Sequence, residues 1–160
     1  MWTMLTSACD TWATVYQNSA ALRTSIGFAH IAGLVVGGGC AIAEDRAILI
    51  ADDAALEVRR AQVRRAHDAA HGVVIGGLAA VMFSGLLLFA ADVQTYLGST
   101  PFWIKMGLVA ALLVNGWLMT RAETALAASA SAWPRLRLAA ITSIALWLTT
   151  TLAGTALPNV

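Results

Sequence analysis

The chain has 160 residues, of which 59% are hydrophobic and 12% charged, and its formal net charge is +1. Its mean hydropathy is +0.72. A soluble domain carries about 25% charged residues, so this composition excludes an ordinary water-soluble globule, and the net charge by itself identifies no partner.

Residues 1–22 hold Trp2, Trp12 and Tyr16 among scattered apolar positions. Trp and Tyr favour the headgroup level of a bilayer. A short helix lying along the outer surface is predicted here. No removed signal peptide is expected, because such a leader runs from a basic start straight into a short apolar core. The first long apolar stretch covers residues 25–43, just after Arg23. Three more follow, at 69–91, 102–120 and 136–157. Each meets the roughly 20 apolar residues that a transmembrane helix requires. The fold class predicted is all-α: an integral membrane four-helix bundle with short interfacial helices, forming one domain over residues 1–160. Cys40 lies deep in the first span and Cys9 in the N-terminal segment, so no disulfide is expected.

Between the first two spans lies a charged segment, residues 47–66. Leu49, Leu56 and Val63 recur at seven-residue spacing, and acidic Asp52, Asp53 and Glu57 precede Arg59, Arg60, Arg64 and Arg65. Acid before base suits the helix dipole. The segment predicts an interfacial helix, attracted to anionic headgroups and able to run on into span two. Spans two and three are joined by an outer hairpin from Asp92 to Pro101. Pro101 fits the first turn of a helix, where its missing N–H costs nothing. Lys105 lies one turn into span three, free to snorkel to the interface or to pair with Asp92. Asn115 is a candidate for an interhelical hydrogen bond. Trp103, Trp133 and Trp147 fall near span ends, as an aromatic belt requires.

Arginine distribution predicts the threading. Arg46, Arg59, Arg60, Arg64 and Arg65 follow span one, and Arg121, Arg135 and Arg137 follow span three. The other side holds only Arg23 and Lys105. The positive-inside rule assigns the arginine-rich loops to the cytoplasm, which makes both termini periplasmic in a bacterial inner membrane. This topological role accounts for the arginines, and no nucleic-acid partner is expected.

Helices in lipid associate through close backbone approach. Gly33 and Gly37 in span one, and Gly72 and Gly76 in span two, form small-xxx-small patterns. They predict that these two spans are the closest pair.

Three histidines are the candidate ligands. Imidazole binds haem iron, copper and zinc. His67 and His71 are one turn apart on one face and form a candidate metal site near the inner end, with Asp68 or a loop carboxylate as a further ligand. His30, Gly33, Gly37 and Glu44 share roughly one face of span one. His30 and His71 differ in depth by about 15 Å at the helical rise per residue, so they do not suit one bis-histidine haem. Met82 and Met106 lie near the depth of His30 and make a candidate His–Met cofactor site. No CxxC, HExxH, P-loop or GxGxxG motif is present, and no enzyme activity is expected.

The run His30-Ile-Ala-Gly-Leu-Val-Val-Gly-Gly-Gly, the block Ala43-Glu-Asp-Arg-Ala, Ser84-Gly-Leu-Leu-Leu-Phe, Asp92 to Leu97, and Phe102-Trp-Ile-Lys-Met with the later Leu-Val-Asn-Gly together resemble a family of uncharacterised bacterial four-span inner-membrane proteins. The resemblance covers about residues 25–123. More distantly, the layout is similar to the membrane domain of copper resistance protein D and to small cytochrome b-like bundles. That likeness implies copper handling or haem-linked electron transfer. The paired, well-spaced histidines of dihaem cytochromes b are missing. The functional expectation is a haem- or copper-binding module of a respiratory or metal-handling assembly, with other membrane subunits or a second copy as partners. The alternative is an accessory subunit with no cofactor.

Overall fold

The computed structural model describes residues 2–51 and 54–156, with side chains from Cys9 onward. Asp52, Asp53 and Leu157, and the ring of Trp2, lie outside the described residues. The chain is all-helical: α1 is Trp2–Asn18, α2 Ala20–Ile50, α3 Leu56–Ala91, α4 Val93–Gly98, α5 Thr100–Ala128 and α6 Trp133–Ala156. A 3₁₀ turn, Ala130–Ala132, joins α5 to α6. Among the described residues, four helices are long and apolar enough to cross a membrane. Phe28, Val35, Phe83, Leu138 and Leu152 are each at least 65% exposed, an outer surface suited to lipid and not to water. The protein is a polytopic membrane bundle.

Local chemistry fixes the helix ends. The Ser19 hydroxyl accepts the Leu22 N–H at 3.3 Å and caps α2, satisfying one of the amide groups that a helix start leaves unpaired. Arg23 turns back onto the Tyr16 and Gln17 carbonyls and fixes the α1–α2 corner. The Asp92 carboxylate accepts the Thr95 N–H at 3.3 Å, so it caps α4. It makes no ion pair with Lys105, which removes that expectation. In the same hairpin Trp103 donates to the Leu97 carbonyl at 3.1 Å, and Phe102 stacks on Phe89 at 5.5 Å. The charged segment 47–66 is divided: residues 47–50 end α2, and from Leu56 onward, with Arg59, Arg60, Arg64 and Arg65, it is continuous with span two in α3. Two of its arginines also serve as structural ties. Arg59 donates to the Ala51 and Ala54 carbonyls and lies 4.3 Å over the Trp133 ring. Arg60 donates to the Leu126 carbonyl at 3.0 Å, near the negative end of α5. Cys9 and Cys40 are both free thiols.

The four spans are arranged as a ring, α3–α2–α6–α5. Helix α2 packs against α3 on one side and α6 on the other, α6 packs against α5, and α3 and α5 touch only sparsely. The α2–α3 contact is backbone against backbone. A Cβ on Gly33 would lie 2.9 Å from the Gly77 carbonyl oxygen, and one on Gly77 would lie 2.6 Å from the Gly37 Cα. The span-two partner is therefore Gly77, which corrects the assignment of Gly72 and Gly76. A Cβ on either of those meets nothing within 4 Å, and both are exposed. Each helical residue turns about 100°, so Gly76 and Gly72 face away from α2 once Gly77 faces it. On the other side of α2, Gly38 lies against the Trp147 ring.

Asn115 joins α5 to α6, its side-chain amide donating to the Ala139 carbonyl at 3.0 Å. That carbonyl belongs to a regular helix, so the bond adds a second donor to an oxygen already in use. Asn115→Ala is expected to cost about 1 kcal/mol, the usual worth of an interhelical side-chain bond in a membrane bundle. Reversible unfolding in mixed micelles measures it. The tightest apolar core lies at the arginine-bearing end, where Ile48, Leu126 and Leu136 are nearly or wholly buried.

Candidate metal centre

The sparse α3–α5 contact leaves a cleft, and polar side chains meet inside it at two levels. The deeper cluster lies toward the arginine-bearing end. His67 of α3 faces Glu44 of α2 and Glu123 of α5. Its Nδ1 is 3.1 Å from Glu44 Oε1 and 3.1 Å from Glu123 Oε2. One nitrogen therefore serves two carboxylates. The three ligand-type atoms lie within 4.8 Å of one another. Both carboxylates are close to buried, with 10% and 13% of the side chain exposed.

Asp45 adds a third acid. It is 1% exposed, is hydrogen-bonded by Ser143, and its Oδ2 has no partner; Glu123 Oε1 likewise has none. All these groups line one cavity of ≈ 280 Å³, together with His71. The His71 ring lies 4.5 Å from that of His67, centre to centre. Among the described residues no arginine or lysine pairs with any of the three acids. Two carboxylates thus share the His67 imidazole, and a third, Asp45, lines the same cavity with Ser143 as its partner. Burying like charges without a counter-charge is costly. The arrangement is completed by a cation or by protons. It offers carboxylate oxygens and imidazole nitrogens, the donors of zinc and related divalent ions, and is able to coordinate a metal ion.

The geometry suits such an ion. Ligand atoms about 2.0–2.1 Å from a four-coordinate zinc lie about 3.3 Å apart. Both imidazole–carboxylate separations are already close to that value, and all three ligand atoms lie within 4.8 Å of one another. A second cavity of ≈ 610 Å³ shares His67, Thr120 and Glu123 with the first and continues to Arg60, Arg64 and Arg65. The cluster thus borders a polar vestibule.

His67 and His71 do lie together, on the face expected of them. Their acidic neighbours differ from expectation. Asp68 is exposed and outside the cavity; Glu44, Asp45 and Glu123 take its place. Glu44 was legible as a member of the His30–Gly33–Gly37 face. Glu123 carried a comparable signal, since Met106, Val109, Leu113, Gly116, Thr120 and Glu123 recur at three- and four-residue spacing along α5.

The shallower level holds His30, Met82, Met106 and Lys105, which line a separate cavity of ≈ 310 Å³. Ser84 donates its only hydroxyl proton to the Ala80 carbonyl at 2.6 Å. Its hydroxyl also lies 3.0 Å from His30 Nδ1, a hydrogen bond that ties α2 to α3 at this level. Ser84 lies thirteen residues beyond His71 on α3, roughly 20 Å along the axis at the helical rise. The two levels are distinct sites. Leu78, Val81, Val109 and Leu112 stand between them. Tyr96, from α4, closes the outer end of the shallower cavity. Burial, with Tyr16 and Asp92 nearby, holds its phenol above the ordinary value, so it stays a neutral donor. Compared with known proteins, the chain matches no family model, no curated protein and no solved structure.

Proposed function

We propose that this protein is a membrane-embedded binder of a divalent transition-metal cation, of the zinc or manganese class, in a metal-handling membrane assembly. One observation carries the reading: two carboxylates from different helices converge at 3.1 Å on a single imidazole nitrogen. Asp45, with its orphaned oxygen, and His71 are the further donors within the same cavity. With the arginine-rich loops in the cytoplasm, the vestibule opens on that side and the ion exchanges with the cytosol. The oxygen-rich donor set favours zinc or manganese over copper(I), which prefers sulfur. His30, Met82 and Met106 are a softer set, but Lys105 lines their cavity too, and an ammonium group disfavours a metal cation beside it.

The test is metal analysis of purified protein after chelator treatment and reloading. One zinc or manganese ion per chain is expected, with saturable heat on titration. The bound ion stabilises the fold by about 2.7 kcal/mol at a free concentration a hundred times Kd. A preparation that takes up neither ion, and whose unfolding does not respond to them, refutes the reading and leaves an accessory subunit without a cofactor. Absorption in the Soret region would move the assignment to haem.

A further inference from the structure

The shallower cavity has a composition that the metal reading does not use. Its walls are apolar, with Met82, Phe89, Phe102 and Val109 among them, and one cation, Lys105, lines it. Among the described residues Lys105 has no acidic partner; Asp92, the nearest acid in sequence, is committed to capping α4. The ammonium is partly buried. The Lys105 Nζ lies beside Gly154 of α6, 3.4 Å from where a Cβ there would stand, and a lysine next to apolar walls with no acid paired to it among the described residues is a group that an anion can engage. His30 lines the same space, its Nδ1 3.0 Å from the Ser84 hydroxyl. The cavity borders the sparsely packed α3–α5 seam, so an apolar tail can leave it sideways into lipid.

We infer that this cavity binds a single-chain lipophilic anion, its carboxylate head on Lys105 beside His30 and its chain running out between α3 and α5. The charge complementarity selects the head, and the apolar walls select the tail. The site is independent of the carboxylate cluster, from which the Leu78, Val81, Val109 and Leu112 layer separates it.

Native mass spectrometry of the detergent-solubilised protein tests this, with oleate and methyl oleate offered in equal amounts. The parent is expected to retain one oleate and to prefer it to the ester by about tenfold or more, the effect of one charge contact worth about 1.4 kcal/mol. Lys105→Met should lose that preference, and Lys105→Arg should keep it. Gly85 lines the cavity, and a Cβ there would already lie 3.4 Å from the His30 ring. Gly85→Leu therefore fills the space without altering charge and should remove oleate binding. Thermal unfolding of each variant confirms that it is folded. Equal retention of ester and acid, undiminished oleate binding by a folded Lys105→Met, or oleate binding that survives Gly85→Leu each overturns the proposal.

Discussion

Glu123→Gln is expected to weaken zinc binding by at least about a hundredfold, because loss of a direct ligand exceeds the 10–100-fold cost of disturbing an outer-shell partner. The same substitution should make the metal-free protein more stable, by about 1 kcal/mol. Glutamine keeps the shape and still accepts the His67 N–H, but it removes one of three acids gathered without a paired arginine or lysine. Replacing a buried charge by a neutral group of similar volume is often stabilising. The opposite signs are the diagnostic. A purely structural hydrogen-bond network loses stability when a member is altered, whereas a ligand site gains stability and loses its ion. Titration calorimetry reads the first effect and thermal unfolding in chelator reads the second. A metal-free Glu123→Gln protein that melts below the parent would show that the carboxylates hold the bundle together through protons. Asp45→Asn should follow the same direction with a smaller loss of affinity, since Ser143 already engages that side chain.

Gly77→Leu is the second large effect, and it acts on the fold. A Cβ at Gly77 would stand 2.6 Å from the Gly37 Cα and 2.9 Å from both the Gly37 nitrogen and the Gly33 carbonyl oxygen. These atoms are backbone, so no rotamer change relieves the clash. Overpacking ordinarily costs about 1–3 kcal/mol, and Gly77→Ala should fall in the upper part of that range. Leucine should exceed it and separate α2 from α3. Gly76→Ala is the control. A Cβ there meets nothing within 4 Å, and an exposed change of this kind is expected to stay within about 0.5 kcal/mol. Unfolding of the three variants in mixed micelles gives the order directly. Since Glu44 and His67 are carried by α2 and α3, the leucine variant should lose zinc binding as well, whereas Gly76→Ala should keep it.

The four spans were legible because hydropathy reports the solvent, and the outer surface here meets lipid. Helix ends were less legible. Helix α2 has 31 residues, about 46 Å at the helical rise, well beyond a hydrocarbon core about 30 Å thick. An apolar window stops at the first charges, but backbone hydrogen bonding does not. For that reason Glu44, Asp45 and Glu123 fell outside the expected spans, although α2 and α5 carry them in regular helix. His67 and His71 were recognisable as a pair from their spacing. Their acidic neighbours come from other helices, and no local pattern encodes that meeting. The glycine contact was misassigned by one residue for a similar reason. Gly76 completes the small-xxx-small pattern with Gly72 whereas its neighbour Gly77 does not, and only the packed partner shows that Gly77 is the one facing α2. Arg59 and Arg60 were read as topological charges, and the Ala51, Ala54 and Leu126 carbonyls that receive their hydrogen bonds could not be foreseen from composition.

A ring of helices closed on three sides by intimate packing and on the fourth by little has one weak joint. Local opening occurs where the fewest apolar contacts must be given up. Parting α3 from α5 would widen both cavities at once while leaving the glycine-locked pair and the α6 junction undisturbed, so this seam is where local opening is expected first.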